Sequence, residues 1–448
     1  MIAVAVVCAL VAVTAAGVLA FRPGPVQEWL SGGPTTVPTA SPAPPDPVLV
    51  GAGSAPIPTT DGISAAIDQL VADRRVGDLA ASIVDIETGK QLYGRDSDLP
   101  VTPASIAKMA TGTAVLATRG PSHRLDTHAV AGAKPGEVVL VGGGDPTLAV
   151  NKKKAYRGAA RLNALAAQVK QQLGDTKPTR VVVDASVFSG PSAGPGWDSG
   201  IENTGYGGHI TGLMVNGGRI NPKLRAPRSS QPDMAAGREF AKLLGLGAGA
   251  VSAGTAPKDA KELGTVSSPP LIRLVEIMIS ESDNIVAEAL ARQVALDQEA
   301  DPSFEGAAEA TTEVLTELGL PTQNLRLRDG SGLSPQNRVT ASLMTSLLQL
   351  AADDKHAELS GIFTGLAVAG YSGTLHDRYS NPRGDGVGVI RAKTGTLNGV
   401  SALLGVVVDA DGRLLGFSLI ANHVPGGLDT AEPVLDKIAV ALAGCGCR

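Results

Sequence analysis

Cysteine is almost missing from this chain. Three occur among 448 residues, Cys8, Cys445 and Cys447, too few for a disulfide framework and too peripheral for a zinc site. The last two, in Gly444-Cys445-Gly446-Cys447, either pair in an oxidising compartment or stay free in a frayed tail. Six histidines show no ligand spacing such as His-Glu-x-x-His, so neither a metal nor a cofactor is expected. Aromatic residues make up only 3%, leaving Ala, Val and Leu to fill an apolar quota of 43%. The net charge of -5 is dispersed, with no basic block beyond Lys152-Lys153-Lys154, which excludes the electrostatic footprint of a nucleic-acid binder. What remains is a chain long enough to bury a large core and to divide into more than one domain.

Charge is absent altogether from residues 2–21, a run long enough to cross a bilayer as a helix. Export or membrane anchoring follows. No basic segment precedes the run, and Val18-Leu19-Ala20 offers a small-residue cleavage site, so removal and retention are both open. Residues 31–60 then turn to Pro, Ser, Thr and Gly, including Pro42, Pro44, Pro45 and Pro47, a composition that stays extended and reads as a tether.

Periodicity predicts an amphipathic helix over residues 62–74, then a hairpin of 79–85 and 91–94 around Glu87-Thr88-Gly89-Lys90. Residues 104–117, after Pro103, read as a helix. Strands are expected at 137–141, 180–183 and 210–215, and a helix at 270–279. Toward the C-terminus come strands at 387–394, 401–408 and 414–421, the last two joined at Asp409-Ala410-Asp411-Gly412, and a closing helix over 428–442. Consecutive hairpins with flanking helices favour an α/β (α+β) layered fold with an antiparallel sheet. The domain reading is a signal or anchor at 1–30, a linker at 31–60, a catalytic domain at 61–120 and 262–448, and a β-rich inserted domain at 121–261.

Three short patterns carry chemistry. Ser105-Ile106-Ala107-Lys108 places a hydroxyl and an amine on one helical face, where a lysine can activate a serine without a histidine. Ser105 lies at the helix start, whose N–H groups and dipole favour the negative charge that develops in acyl transfer. Ser282-Asp283-Asn284 and Lys393-Thr394-Gly395 follow in that order. Each pattern alone is commonplace, an N-cap, a surface lysine or a strand-end turn; the ordered triple is that of penicillin-binding proteins and class A β-lactamases.

With Gly142-Gly143-Gly144-Asp145-Pro146-Thr147-Leu148, Asp329-Gly330-Ser331-Gly332-Leu333-Ser334 and Gly373-Thr374-Leu375 added, the chain from Asp61 onward resembles the low-molecular-mass class C penicillin-binding proteins, the serine D-alanyl-D-alanine carboxypeptidase/endopeptidase family. The resemblance implies a penicillin-binding protein/β-lactamase-like transpeptidase fold. It also implies peptidoglycan stem peptides as substrates and β-lactams as inhibitors. Ser105 would attack the scissile carbonyl and form an acyl-enzyme, and Lys108 would take its proton. A free lysine has a pKa of about 10.4, so Lys108 needs burial and a second cation, Lys393, to act as a base. Ser282 would relay a proton to the leaving amine, and Asn284 would hold Lys108 and the substrate amide. Lys393, Thr394 and Thr396 would clamp the terminal carboxylate, Gly395 would let the substrate backbone approach, and the Ser105 and Thr396 N–H groups would form the oxyanion hole. The resemblance also sends Asp145 to the cleft, to meet the amino end of a diaminopimelate-type side chain, with Asn398 in the same pocket; by local chemistry Asp145-Pro146 is equally a turn. Many members carry arginine where this chain has Pro335, and Arg338 follows three residues on. The rival readings are a serine β-lactamase and a non-catalytic cell-wall binding protein of the same fold.

Overall fold

The structure, a computed structural model, describes residues 55–379, 386–427 and 430–448. The apolar run at 2–21 and most of the proline-rich stretch lie outside the described residues. Among the described residues no helix is long and apolar enough to cross a membrane.

Helix α1 (Thr60–Val71) presents Ile63, Ile67 and Val71 on one buried stripe, and Thr59 caps it by accepting from the Gly62 N–H at 3.0 Å. Strands β1 (Asp78–Asp85) and β2 (Gln91–Arg95) form the expected hairpin, and α2 (Lys108–Arg119) follows. A second region holds β3 (Asp126–Ala131), β4 (Glu137–Val141), α3 (Leu162–Leu173), β5 (Arg180–Asp184), α4 (Pro232–Leu244), β6 (Val251–Ala253) and β7 (Glu262–Ser267). Then come α5 (Leu271–Ser280), α6 (Asn284–Asp297), α7 (Phe304–Glu317), α8 (Ala341–Ala352), α9 (Gly361–Gly365), β8 (Ala367–Val368), β9 (Ile390–Leu397), β10 (Val400–Val408), β11 (Leu414–Asn422) and α10 (Glu432–Ala443).

The main sheet runs β2-β1-β11-β10-β9-β8 with every pair antiparallel. Its two faces bury different cores. On one, Ile83, Leu403, Leu415 and Phe417 pack with α1 and with Val434, Leu435 and Ile438 of α10. On the other, Val84, Leu404 and Ile420 join a larger cluster built from α2, α5, α6 and α8. Helix α2 sits inside that cluster, and its turns of Met109, Ala110, Ala114 and Val115 are wholly buried. With so few aromatic rings, close packing of small aliphatic side chains supplies this core.

The second sheet, β6-β5-β4-β3-β7, is mixed, with β4, β5 and β6 parallel. Helices α3 and α4 cover it through Leu165, Val169 and Phe240, two helices that periodicity did not single out. Residues 210–215, expected as a strand, are irregular: the Gly212 carbonyl accepts from Gly144 and the Asn216 N–H donates to Leu148, so this backbone is committed to a neighbouring loop. The C-terminal tail is tied down. The Cys447 carbonyl accepts from the Thr59 N–H at 2.8 Å, Arg448 reaches Asp411, and Cys445 and Cys447 are placed as a pair.

The β1–β2 and β10–β11 turns of the main sheet are held together by a buried ion pair. Arg413 donates from Nε to Asp85 Oδ1 at 2.8 Å and from Nη2 to Oδ2 at 2.6 Å. Burial opposes ionisation of Asp85, yet the hydrogen bonds from Arg413 and Thr88 and the guanidinium charge hold its carboxyl below the usual range. Arg413→Met should cost about 3–5 kcal/mol in urea unfolding at pH 7. In the unsubstituted chain the contribution is present above the unfolded carboxylate pKa of about 3.9 and is lost as pH falls through the lower folded value.

Candidate active site

A short 3-10 turn, Ala104–Ala107, leads into α2. Three residues per turn eclipse positions i and i+3, which stacks Lys108 on Ser105 with Nζ 2.8 Å from Oγ. Ala104 enters the turn with φ of 50°, a left-handed conformation that costs a non-glycine residue energy and is found where surrounding structure enforces it. Ser105 is partly exposed, whereas Lys108 is fully buried. Its amine also donates to Asn284 Oδ1 at 2.5 Å and to the Ser331 carbonyl at 2.7 Å. An ammonium has three protons and these are three acceptors.

Asp283 places the second motif. Its Oδ1 accepts from the Ile285 and Val286 N–H groups at 3.0 and 3.2 Å, capping α6, while Tyr156 donates to Oδ2 at 2.8 Å. Asn284 thus starts the helix, its amide nitrogen held by the Tyr206 carbonyl at 2.8 Å. Ser282 projects from the loop before it at φ of 55°. Burial works against the Asp283 charge, but Arg228 and Arg219 hold its pKa below the ordinary value.

The third motif lies on β9, registered by β10 with Lys393 opposite Leu404 and Gly395 opposite Ala402. Lys393 Nζ donates to Ser282 Oγ at 2.9 Å and to the Thr394 carbonyl at 2.6 Å, and Thr394 donates to Thr374 Oγ1 at 2.9 Å. A Cβ on Gly395 would stand 3.1 Å from the Ser105 nitrogen and 2.9 Å from the Pro103 carbonyl oxygen. Only glycine brings this strand flush against the serine turn.

Two serine–lysine pairs therefore converge, with hydroxyls toward solvent and amines behind them. Burial lowers Lys108 to about 8, against the opposing pull of Asp329, Glu288 and Asp283. Lys393 has no such carboxylates: burial, then the charge of Lys108, drive it well below its ordinary value. Lys393 is 0% exposed, with its amine on Ser282 Oγ and the Thr394 carbonyl. Thr394 is buried beside it, and Thr396 is exposed.

Glu288 was not evident from sequence. One helical turn after Asn284, its carboxylate accepts from the Gly330 and Ser331 N–H groups at 2.9 and 2.8 Å. Burial, then the neighbouring Asp329 charge, raise it to about 7. Asp329 in turn accepts from Gly332, Ser334, Asn337 and Trp197. This loop holds the Ser331 carbonyl against Lys108. Asp145 and Asn398 are not brought to the serine–lysine pairs by any hydrogen bond among the described residues. Asp145 is buried, with Oδ1 taken by the Thr147 N–H and hydroxyl and Oδ2 unpartnered, and burial raises its carboxyl to about 6. Asn398 is exposed in the β9–β10 turn. Arg338 is occupied with Thr102 and the carbonyls of Pro335 and Asn337.

Residues 63–230 and 225–442 match the family described as D-Ala-D-Ala carboxypeptidase 3 (S13). A carboxypeptidase of Mycobacterium tuberculosis is 39% identical over 419 residues, 90% of each chain. Penicillin binding protein 4 of Haemophilus influenzae superposes with a TM-score of 0.69 at 21% identity, covering 83% of this chain and 99% of that one. Its complex with a β-lactam gives 0.62 at 20% identity, covering 84% and 99%.

Gly332 sits at φ of 85°, and a Cβ there would collide with the Ala104 carbonyl oxygen. Gly332→Ala should lower stability by roughly 1–3 kcal/mol in thermal unfolding, whereas Gly247→Ala, where a Cβ meets nothing within 4 Å, should change it little.

Proposed function

Because the chain belongs to the D-Ala-D-Ala carboxypeptidase 3 (S13) family, we propose that Ser105 is its nucleophile and that the two serine–lysine pairs run the acyl transfer of a serine D-alanyl-D-alanine carboxypeptidase acting on peptidoglycan stem peptides. The observation that carries these roles is the pairing of Lys108 with Ser105 at 2.8 Å and of Lys393 with Ser282 at 2.9 Å.

In neutral form Lys108 keeps two N–H groups for Asn284 Oδ1 and the Ser331 carbonyl and turns its lone pair to the Ser105 hydroxyl. It takes that proton as Oγ attacks the scissile carbonyl carbon, and the N–H groups of Ser105 and Thr396 hold the developing oxyanion. As the C–N bond breaks, the proton passes to the departing D-alanine nitrogen through Ser282, whose hydroxyl Lys393 orients. Lys393, Thr394 and Thr396 hold the terminal carboxylate. Water then attacks the acyl-enzyme by the reverse path, with Lys108 as base, and frees Ser105. Cross-links ending in a D-amino acid demand the same steps, so endopeptidase activity needs no further group.

Both oxygens of Glu288 are taken by loop N–H groups, which leaves it no place as a base for water. That favours a peptidase over a β-lactamase and slow release of β-lactams. The wall substrate puts the enzyme outside the cytoplasm, with residues 2–21 as signal or anchor; residues 121–261 are read as a domain inserted into the catalytic one.

Incubation with a fluorescent penicillin, followed by intact mass, should give one persistent adduct on the wild type and none on a folded Ser105→Ala variant. Rapid penicillin turnover would point to the β-lactamase, and no adduct on the folded wild type to the binding protein. The acylation rate should rise with pH through about 8 as Lys108 loses its proton, because the base form is the reactive one; a rate flat from pH 6 to 9 would contradict Lys108 as base.

A further inference from the structure

The loop of residues 329–334 turns its two kinds of backbone group to opposite partners. Its N–H groups go to carboxylates, those of Gly330 and Ser331 to Glu288 and those of Gly332 and Ser334 to Asp329. Its carbonyls go to α2, where the Thr111 hydroxyl donates to Gly330 and the Lys108 amine to Ser331, each at 2.7 Å. The Ser331 carbonyl and the Gly332 N–H belong to one planar peptide group. That group accepts from Lys108 at one end and donates to Asp329 Oδ1, 2.8 Å away, at the other. Glu288 has no such link, because the peptides whose N–H groups it holds carry the carbonyls of Asp329 and Gly330, not that of Ser331. Asp329 is 1% exposed, and three further donors fix it: Asn337 Nδ2 at 2.8 Å on Oδ1, with the Ser334 N–H at 2.6 Å and Trp197 Nε1 at 2.8 Å on Oδ2. All four are N–H groups, the complement that a carboxylate accepts.

We propose that Asp329 is a positioning residue of the acyl transfer and acts on Lys108 through the Ser331–Gly332 peptide. The inference rests on the carboxypeptidase reading, in which Lys108 is the base. When Lys108 takes the Ser105 proton, ammonium, peptide and carboxylate form one chain of hydrogen bonds whose charged ends polarise the peptide between them. Asp329 thus steadies the ammonium and fixes where the amine points, as the aspartate does for the base of a serine–histidine–aspartate triad. A carboxylate in direct contact would hold the Lys108 proton at rest; one peptide away, it supports the charge and leaves the amine free to lose it. Among the charges that oppose the effect of burial on Lys108, Asp329 comes first, ahead of Glu288 and Asp283, and Lys393 is the cation beside the amine.

In NMR of the full wild-type chain the Gly332 amide should move with pH as Lys108 titrates, both with a midpoint near 8. The Gly330 and Ser331 amides report Glu288 instead, with a midpoint near 7. Combining Asp329→Asn with Trp197→Phe removes the charge together with one donor that the new amide would face, and keeps a ring against Phe304. In that double variant the Lys108 midpoint should fall by about one pH unit, and the pH profile of acylation by fluorescent penicillin should fall with it. Trp197→Phe alone, which keeps the carboxylate, should not lower the midpoint, nor should Thr111→Val, which frees the loop from α2 at Gly330 without changing charge. A merely structural role would slow acylation at every pH and leave the midpoint in place. A Gly332 amide that does not follow Lys108, or an unchanged midpoint in the folded double variant, would overturn the proposal. A Gly332 amide that follows Lys108 in a folded chain that no penicillin acylates would support the link and sink the carboxypeptidase reading instead.

Discussion

Two primary amines, those of Lys108 and Lys393, are fully buried in one site. A buried ammonium is costly unless matched by charge and hydrogen bonds, and two side by side repel. The surroundings resolve this asymmetrically. Lys108 has three acceptors and three nearby carboxylates, Asp329, Glu288 and Asp283; Lys393 has a hydroxyl, one carbonyl and no carboxylate. The site therefore favours a proton on Lys108 over one on Lys393.

Much of the fold serves to keep that arrangement rigid. Helix α2 is enclosed by α5, α6 and α8, so Lys108 cannot swing to water. The left-handed residues Ala104 and Ser282 bend the chain where each serine must face outward. Gly395 and Gly332 let β9 and the loop after Asp329 close on the same turn. The second sheet region reaches in as well: the Tyr206 carbonyl holds Asn284 and the Tyr156 hydroxyl holds Asp283. Those contacts tie loops of the second region to the helix start beside the serine–lysine pairs.

What the sequence made legible is what has local signature. The hairpins around Glu87-Thr88-Gly89-Lys90 and Asp409-Ala410-Asp411-Gly412 announce themselves through turn chemistry and alternation, and the three motifs through their order. Glu288 was silent because a glutamate in a helix is ordinary until folding brings loop N–H groups to it. Tyr156 and Tyr206 lie in the second region beyond the Gly142–Leu148 motif, and nothing local in the sequence ties either to Asp283 or Asn284. Residues 210–215 have strand composition, but tertiary hydrogen bonds to the loop beginning at Gly142 decide their path. The contact of Lys393 with Ser282 is likewise a product of folding that no spacing encodes.

Selective labelling of lysine side chains, with Lys108 and Lys393 assigned by Lys→Arg variants, would let NMR follow each amine through a pH titration of the resting enzyme. The account predicts that Lys108 titrates near 8 and that Lys393 loses its proton well below the ordinary lysine value. Two ammonium signals persisting to the ordinary lysine pKa of about 10.4 would contradict it.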